Sequence, residues 1–299
     1  MIPAPRRRFP GAVFSPMNHH QEGHFSAPDG TRLWFERDVP DGARAHIVLV
    51  HGYGDHLGRY RTFRDAMLAE RFAVHAYDVR GHGRSDGARG AVRDFSEYAR
   101  ELEAFVRSSH ALAGGLPIFL VAHSHGALIT LGWLAGAGAE TARTLGVRGL
   151  VLSAPYLGLA FTPPAWKTAP AVLLSRLLPD APIPTGISSA DLSRDETWQQ
   201  STDRDPLYGR KATPRWFTEH TRVQGEVLAA GARLRIPVLL MLPGEDRLAS
   251  AAVSRRWFET LTTPDRRLRE WPSMRHEIFN ELGKEDVYAE TSRWISEHL

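Results

Sequence analysis

Short apolar runs, spaced by segments of helical periodicity, constrain this chain more than any other feature. Residues 47–50, 118–122, 147–153 and 237–242 are apolar almost throughout. They are too short to be helices and lack the alternation of a strand with one wet face. Residues 73–78 read as another strand and 267–271 as the last. Between them, 59–70, 95–109, 126–137 and 251–261 read as helices, as does 287–298 at the end. Phe63, Met67 and Leu68 mark one helical face, and Leu102, Phe105 and Val106 another. Strands buried on both faces and alternating with helices specify an α/β fold with a mostly parallel sheet. Asp29-Gly30, between 23–27 and 32–38, is a hairpin turn, so an antiparallel edge is expected to precede the parallel strands.

The rhythm stops over 158–222. Pro163, Pro164, Pro170, Pro179, Pro182, Pro184, Pro206 and Pro214 break this stretch into short helical pieces with no convincing strand. The expected organisation is a flexible leader over 1–22, a core over 23–157, an inserted cap over 158–222, and the rest of the core over 223–299. An insertion after a strand's carboxyl end lies over the crevice where open α/β sheets bind ligands. His19, His20 and His24 lie in a polar stretch without a carboxylate ladder and read as a solvated N-terminal arm.

The 299 residues are 42% hydrophobic and 24% charged, enough to bury a full core. The absence of cysteine excludes a disulfide framework, a thiolate metal site and a thiol nucleophile. Thirty-seven Lys and Arg against 34 Asp and Glu leave a net charge of +3, no footprint for nucleic acid. No apolar run reaches the ~18 residues of a membrane span. Arg6, Arg7 and Arg8 are not followed by a signal-like apolar stretch. The expectation is a cytoplasmic protein, with a transient peripheral contact with membrane lipid left open.

The strand at 118–122 runs into Ala122-His123-Ser124-His125-Gly126 and then a helix. That is the context of G-x-S-x-G, a tight turn that lifts a serine hydroxyl above the sheet, here with Ala122 in place of the first glycine. Such a serine needs a base, and the base an orienting acid, in the chain order Ser, acid, His. Pro243-Gly244-Glu245-Asp246 follows the strand at 237–242 and supplies Asp246, with Glu245 its rival. Pro272-Ser273-Met274-Arg275-His276 follows the last strand and supplies His276. Two backbone N–H groups should complete the site as an oxyanion hole. One is that of His125. The other, in Val50-His51-Gly52-Tyr53-Gly54, is that of Tyr53. The His51 ring reads as holding its loop, and the His125 ring as secondary to its backbone.

Four segments together resemble the monoacylglycerol lipase and bacterial lysophospholipase group of α/β-hydrolases. They are His51-Gly52-Tyr53-Gly54-Asp55-His56 with Arg59-Tyr60, Tyr77-Asp78-Val79-Arg80-Gly81-His82-Gly83-Arg84-Ser85, the Ala122 to Gly126 turn, and His276-Glu277-Ile278-Phe279-Asn280-Glu281. The resemblance runs from Asp29 to the C-terminus. It implies an α/β-hydrolase fold with a lid, and a serine esterase of acylglycerols or lysophospholipids. By position it implies Ser124 as nucleophile, Asp246 as acid, His276 as base, and Tyr53 and His125 as oxyanion donors. Ala122 departs from the pattern, and its methyl is expected to be tolerated only at negative φ.

The implied partner is a small lipid or ester substrate, with no metal and no organic cofactor. The oligomeric state is not legible. An amidase or peptidase could use the same triad, because fold and triad do not fix the leaving group. A non-catalytic binder on this fold would be expected to lack a triad member. Within the cap, Leu173, Leu174, Leu177 and Leu178 form an apolar stripe if 171–178 is helical. Part of the stripe is expected to line the mouth of an acyl pocket or to meet lipid when the lid opens, and the pocket mouth is favoured, with Leu174 and Leu177 there. The plainer alternative packs the stripe onto the core.

Overall fold

The computed structural model describes residues 18–161 and 170–299. The sheet strands are β1 (Asn18–Ser26), β2 (Arg32–Pro40), β3 (Ala45–Val50), β4 (Phe72–Tyr77), β5 (Ile118–His123), β6 (Val147–Ser153), β9 (Val238–Pro243) and β10 (Arg266–Trp271). They form one eight-stranded sheet in the order β1-β2-β4-β3-β5-β6-β9-β10. β1 and β2 are antiparallel, as are β2 and β4, and every later pairing is parallel. The protein has the α/β-hydrolase fold.

Helices α1 (Arg61–Ala69), α2 (Ser96–Ala113), α3 (His125–Ala135) and α4 (Gly138–Thr144) connect the first strands. α9 (Ala251–Thr260) lies between β9 and β10, and α10 (Lys284–Glu297) closes the fold. β3, β4, β5 and β9 are buried at every position. Their side chains divide strictly by parity, as a pleated strand requires. Leu120 and Ala122 join Val48, Leu152, Leu240 and Leu128 on one face. Phe119 and Val121 join Leu49, Val151, Phe63 and Trp294 on the other. The sheet is thus a wall between two cores, and the loops at its carboxyl edge carry the site.

The expected hairpin is present but longer. β1 begins at Asn18, inside the 1–22 leader inferred from sequence, and pairs with β2 along its length. His19, His20 and His24 therefore sit on an edge strand and not on a free arm. His20 Nδ1 is 2.7 Å from Asp38 Oδ1. The remainder of the expected leader, and Pro163 and Pro164 of the insertion, lie outside the described residues.

The insertion after β6 contains α5 (Ala171–Leu177), β7 (Ile183–Pro184), α6 (Ser189–Leu192), α7 (Glu196–Arg204), β8 (Lys211–Ala212) and α8 (Pro214–Ala230). β7 and β8 form a two-residue antiparallel pair. Asp195 caps α7 by accepting from the N–H groups of Thr197 and Trp198, and Thr213 caps α8 with Pro214 at its first turn. α8 continues to Ala230 without a break at 222, so the inferred cap boundary falls inside a helix. Val223 and Val227 of that helix belong to the hydrolase core.

The leucine run is helical as expected, and its packed face is made by small residues instead of the leucines. Ala171 and Ser175 are the buried positions of α5. Leu173 and Leu177 are 57% and 67% exposed, and Leu174 is half-buried. The small residues turn inward because α5 crosses α8 closely. Ser175 Oγ lies 2.9 Å from Thr218 Oγ1, and Arg215 donates to the Ser175 carbonyl at 2.8 Å. Leu177 therefore neither packs on the core nor walls a closed pocket in this conformation.

Candidate active site

Ser124 stands between β5 and α3 at φ 50°, ψ −111°. A left-handed φ at a non-glycine residue costs on the order of 1–3 kcal/mol and is held by its surroundings. The Ser124 N–H donates to the Ser153 carbonyl at 2.9 Å, and its carbonyl accepts from Tyr156 N–H at 3.1 Å. Gly126 is needed for close approach: a Cβ there would lie 2.3 Å from the Val50 carbonyl oxygen. Ala122 meets no such limit. The non-glycine residues with positive φ among the described residues are Arg71, Ser124 and Ala154. The Ala122 methyl simply joins the core.

Ser124 Oγ is 2.8 Å from His276 Nε2. His276 Nδ1 is 2.8 Å from Asp246 Oδ2. The other Asp246 oxygen accepts from the N–H groups of Leu248 and Ala249 at 2.8 and 2.9 Å. Those bonds fix the carboxylate and leave one oxygen for the imidazole. With Nδ1–H donating to Asp246, Nε2 is the acceptor for the Ser124 hydroxyl. Glu245, the rival acid, is exposed. Burial disfavours the charged His276 ring, but Asp246, and further off Glu277 and Asp55, more than offset it and raise its pKa above the ordinary value. The arrangement can accept the serine proton and hold it.

α3 begins at His125, so its first N–H groups point out of the helix unpaired. The N–H groups of Tyr53 and His125 have no protein acceptor among the described residues. The loop after β3 reaches Ser124: a Cβ on Gly52 would be 3.5 Å from that of Ser124. His51 holds this loop, with Nδ1 2.8 Å from the Gly52 carbonyl and Nε2 accepting from Val79 N–H at 2.9 Å. The His125 ring is fully buried, its centroid 4.7 Å from that of His220 with the planes tilted by 38°. Burial first, then His220 and His82, push its pKa well down.

The sequence reading did not find the cap residues that meet this loop. Tyr53 donates its hydroxyl proton to the Lys211 carbonyl at 2.5 Å, and its ring lies 4.2 Å from Trp216. Trp216 stacks on His220 at 3.8 Å and faces Tyr156 in parallel at 6.2 Å. Aromatic residues one turn apart on a helix were the available signal. The prolines break the stretch into short helical pieces in the sequence and hide that spacing. Leu174 and Leu177 are not joined to Ser124, His276 or Asp246 by any contact described.

An eight-stranded sheet carrying Ser124, His276 and Asp246 at its carboxyl edge defines a serine hydrolase of the α/β-hydrolase fold. The chain belongs to the Hydrolase_4 family, described as serine aminopeptidase, S33, which matches residues 41–283. It is 29% identical over 256 residues to phospholipase YtpA of Bacillus subtilis, covering 85% of this chain and 96% of that protein. It is also 29% identical over 280 residues to a monoacylglycerol lipase of Mycolicibacterium smegmatis, covering 93% and 98%. Among solved structures, the monoacylglycerol lipase of Paleococcus ferrophilus aligns with a TM-score of 0.77 at 25% identity, over 95% of this chain and all of that one. The monoglyceride lipase of Saccharomyces cerevisiae, in complex with a substrate analogue, shares the fold with a TM-score of 0.83 at 22% identity, over 98% and 99%. Among the described residues, no helix is long and apolar enough to cross a membrane.

Proposed function

We propose that this protein hydrolyses carboxylic esters of the monoacylglycerol or lysophospholipid type, with Ser124 as nucleophile, His276 as base and Asp246 as its orienting acid. The observation that carries the reading is the 2.8 Å approach of His276 Nε2 to Ser124 Oγ. Ser124 Oγ attacks the ester carbonyl carbon as its proton passes to His276 Nε2. The carbonyl oxygen gains the negative charge and is met by the N–H groups of Tyr53 and His125. Collapse breaks the bond to the alcohol oxygen, which takes the proton from His276 and leaves as glycerol or the lysolipid headgroup. Water then gives a proton to His276 and attacks the acyl-enzyme. The fatty acid departs as Ser124 recovers its proton. Asp246 keeps the ring in the required tautomer and stabilises the imidazolium, and no step needs a metal or an organic cofactor.

The lipid substrate class is supported by the relatives, a phospholipase and a monoacylglycerol lipase. The family description, serine aminopeptidase, favours a second reading on the same three residues. An aminopeptidase must hold its substrate's ammonium group with a free anion near the serine. After Asp246, the buried carboxylates whose charge reaches His276 are Glu277 and Asp55, and Arg59 pairs with both. That favours a neutral ester.

Burst release of p-nitrophenol from its butyrate ester, measured for wild type and Ser124→Ala, tests the reading. The variant is expected to lose turnover to a residual ~10³–10⁴-fold over water with the fold intact. Hydrolysis should also fall as pH drops through the raised His276 value, because the protonated ring cannot accept the serine proton. Wild-type turnover by Ser124→Ala would overturn the assignment. Faster cleavage of alanine p-nitroanilide than of any ester would transfer it to the aminopeptidase reading.

A further inference from the structure

The residue after the proposed base lies in a buried ionic network that reaches into the cap. Glu277 is 3% exposed. Its carboxylate accepts from Arg59 Nη2 at 3.1 and 3.3 Å, from Trp198 Nε1 at 2.9 Å and from Asn280 Nδ2 at 3.0 Å. Its N–H donates to the Leu192 carbonyl at 2.8 Å. Arg59, itself 4% exposed, pairs through Nε with Asp55 at 2.5 Å and donates from Nη1 to Thr202 Oγ1 at 2.9 Å. Its guanidinium lies 4.3 Å from the Trp198 ring and 4.9 Å from that of Tyr208. Asp55 also accepts from the Tyr60 hydroxyl at 2.8 Å, and that hydroxyl is 3.4 Å from the Gly52 N–H.

This network joins three parts of the site. Asp55, Arg59 and Tyr60 come from the segment after β3, the same loop that carries Tyr53. Glu277 is one bond from His276 in the chain. Trp198 and Thr202 lie on α7, and Leu192 ends α6, so the network is complete only with the cap seated. A buried carboxylate missing one of its donors is strongly disfavoured, and displacing α7 takes the Trp198 N–H from Glu277 and the Thr202 acceptor from Arg59.

We propose that Glu277 is a positioning residue for His276: the Arg59–Glu277 pair, closed by Trp198 and Thr202, holds the loop that carries the ring and links seating of the cap to the charge beside it. The inference rests on the reading of His276 as the base. The ring contacts Asp246 from the loop after β9 and Ser124 and His123 from the β5–α3 turn. The charges of Glu277 and Asp55 reach it from farther off, both paired with Arg59, whose guanidinium lies over Tyr208 of the cap. His56 of the same loop pairs with Asp205 of the cap. Glu277 and Asp55 add negative potential at the ring, which favours its protonated form. Removing the Glu277 charge while Arg59 remains therefore weakens the base.

The test compares pH profiles of kcat/KM for wild type, Glu277→Gln and Trp198→Phe on p-nitrophenyl butyrate, with Ser124→Ala and His276→Ala as references. Glu277→Gln keeps the size of the side chain and an acceptor for Trp198. Its acid limb is expected to move to lower pH, with the plateau kcat about three- to tenfold down, as a weaker base requires. Trp198→Phe removes one donor and keeps the ring over Arg59, and is expected to lower kcat with KM nearly unchanged. If Glu277→Gln does not fold, Trp198→Phe decides alone. Wild-type acid limbs and kcat values in the folded variants, with any change confined to melting temperature, would overturn the role of Glu277. Turnover retained by Ser124→Ala or His276→Ala would instead overturn the reading of the base.

Discussion

Gly54 and Gly209 meet backbone to backbone where the cap touches the loop after β3. The Gly209 N–H donates to the Gly54 carbonyl at 2.7 Å. A Cβ on Gly54 would lie 2.5 Å from the Gly209 carbonyl oxygen, at a φ of +75° that disfavours any L side chain. Neither backbone can give way cheaply, because one belongs to the loop that presents the Tyr53 N–H and the other to the cap. Gly54→Ala is therefore expected to shift that loop. Loss of one oxyanion donor costs about 10²–10³ in kcat. Turnover of p-nitrophenyl butyrate, measured beside the melting temperature, checks it. A folded variant with turnover within about twofold of wild type would show that the donor does not depend on this contact.

The acid can be assigned by a pair of neighbouring substitutions. Asp246 is held by two backbone N–H groups and bonded to His276, whereas Glu245 is exposed and makes no such bond. Asp246→Asn should lower kcat by up to about 10⁴, since an amide favours the wrong imidazole tautomer. Glu245→Gln should leave kcat near wild type. The reverse ranking would move the acid by one residue.

Acid should destabilise this protein as pH falls through the ordinary imidazole range. His46, His51, His75, His82, His123, His125 and His220 all have lowered pKa values, burial being the largest cause in each. His75 and His220 are pushed to about 3 and His82 to about 4. In the unfolded chain these rings take up protons near pH ~6.5; in the folded chain they do so only at lower pH. Between those values the unfolded state binds more protons, so stability falls with pH by about 1.4 kcal/mol per unit for each such ring. Asp55 and Glu101, raised to about 6 and about 7, run the other way, as do the raised His20 and His276, but the seven rings outnumber them. Urea midpoints at about pH 7.5 and about pH 5.5 are the measurement, since the window lies below the ordinary imidazole value. A midpoint that holds or rises on acidification contradicts this account.

The parts legible in the sequence are those whose signal is local. β3, β5 and β9 read as strands because burial on both faces leaves runs such as Val48, Leu49 and Val50 with nothing polar between them. Ser124 was legible because strand, tight turn and helix are contiguous. β1 was read short, since an edge strand pairing on one side tolerates Asn18, His19, His20, Gln21 and Glu22, and the full pairing with β2 is what makes it a strand. α8 is not evident in the sequence because the expected cap boundary at 222 divides its one buried face, with Trp216 and His220 on one side and Val223 and Val227 on the other, although Trp216, Val223 and Val227 belong to a single core cluster. The Arg59–Glu277 pair spans most of the chain, and nothing at either position announces the other. For α5 the leucines revealed the helix but not its inner face, because close helix crossing selects small residues, here Ala171 and Ser175.

That inversion of α5 yields the last prediction. Leu173 and Leu177 of α5 and Leu178 at its C-cap stand 57%, 67% and 56% exposed, with Val172 at 58% beside them. An exposed apolar cluster of this kind on a monomer marks a surface that meets something apolar. The helix is far too short to span a bilayer but can lie against one. If the leucines meet the acyl chains of an aggregated substrate, Leu173→Ser with Leu177→Ser should spare short soluble esters and depress turnover of long-chain monoacylglycerol dispersed above its solubility. Because the leucines are exposed, the double variant's stability should change by no more than about 0.5 kcal/mol per site. A core role would instead lower the melting temperature and hit every chain length equally. The deciding measurement is the ratio of long-chain to butyrate turnover, taken beside a thermal melt. An unchanged ratio in a stable variant would remove α5 from substrate capture, and an equal loss with a lower melting temperature would make the stripe structural after all.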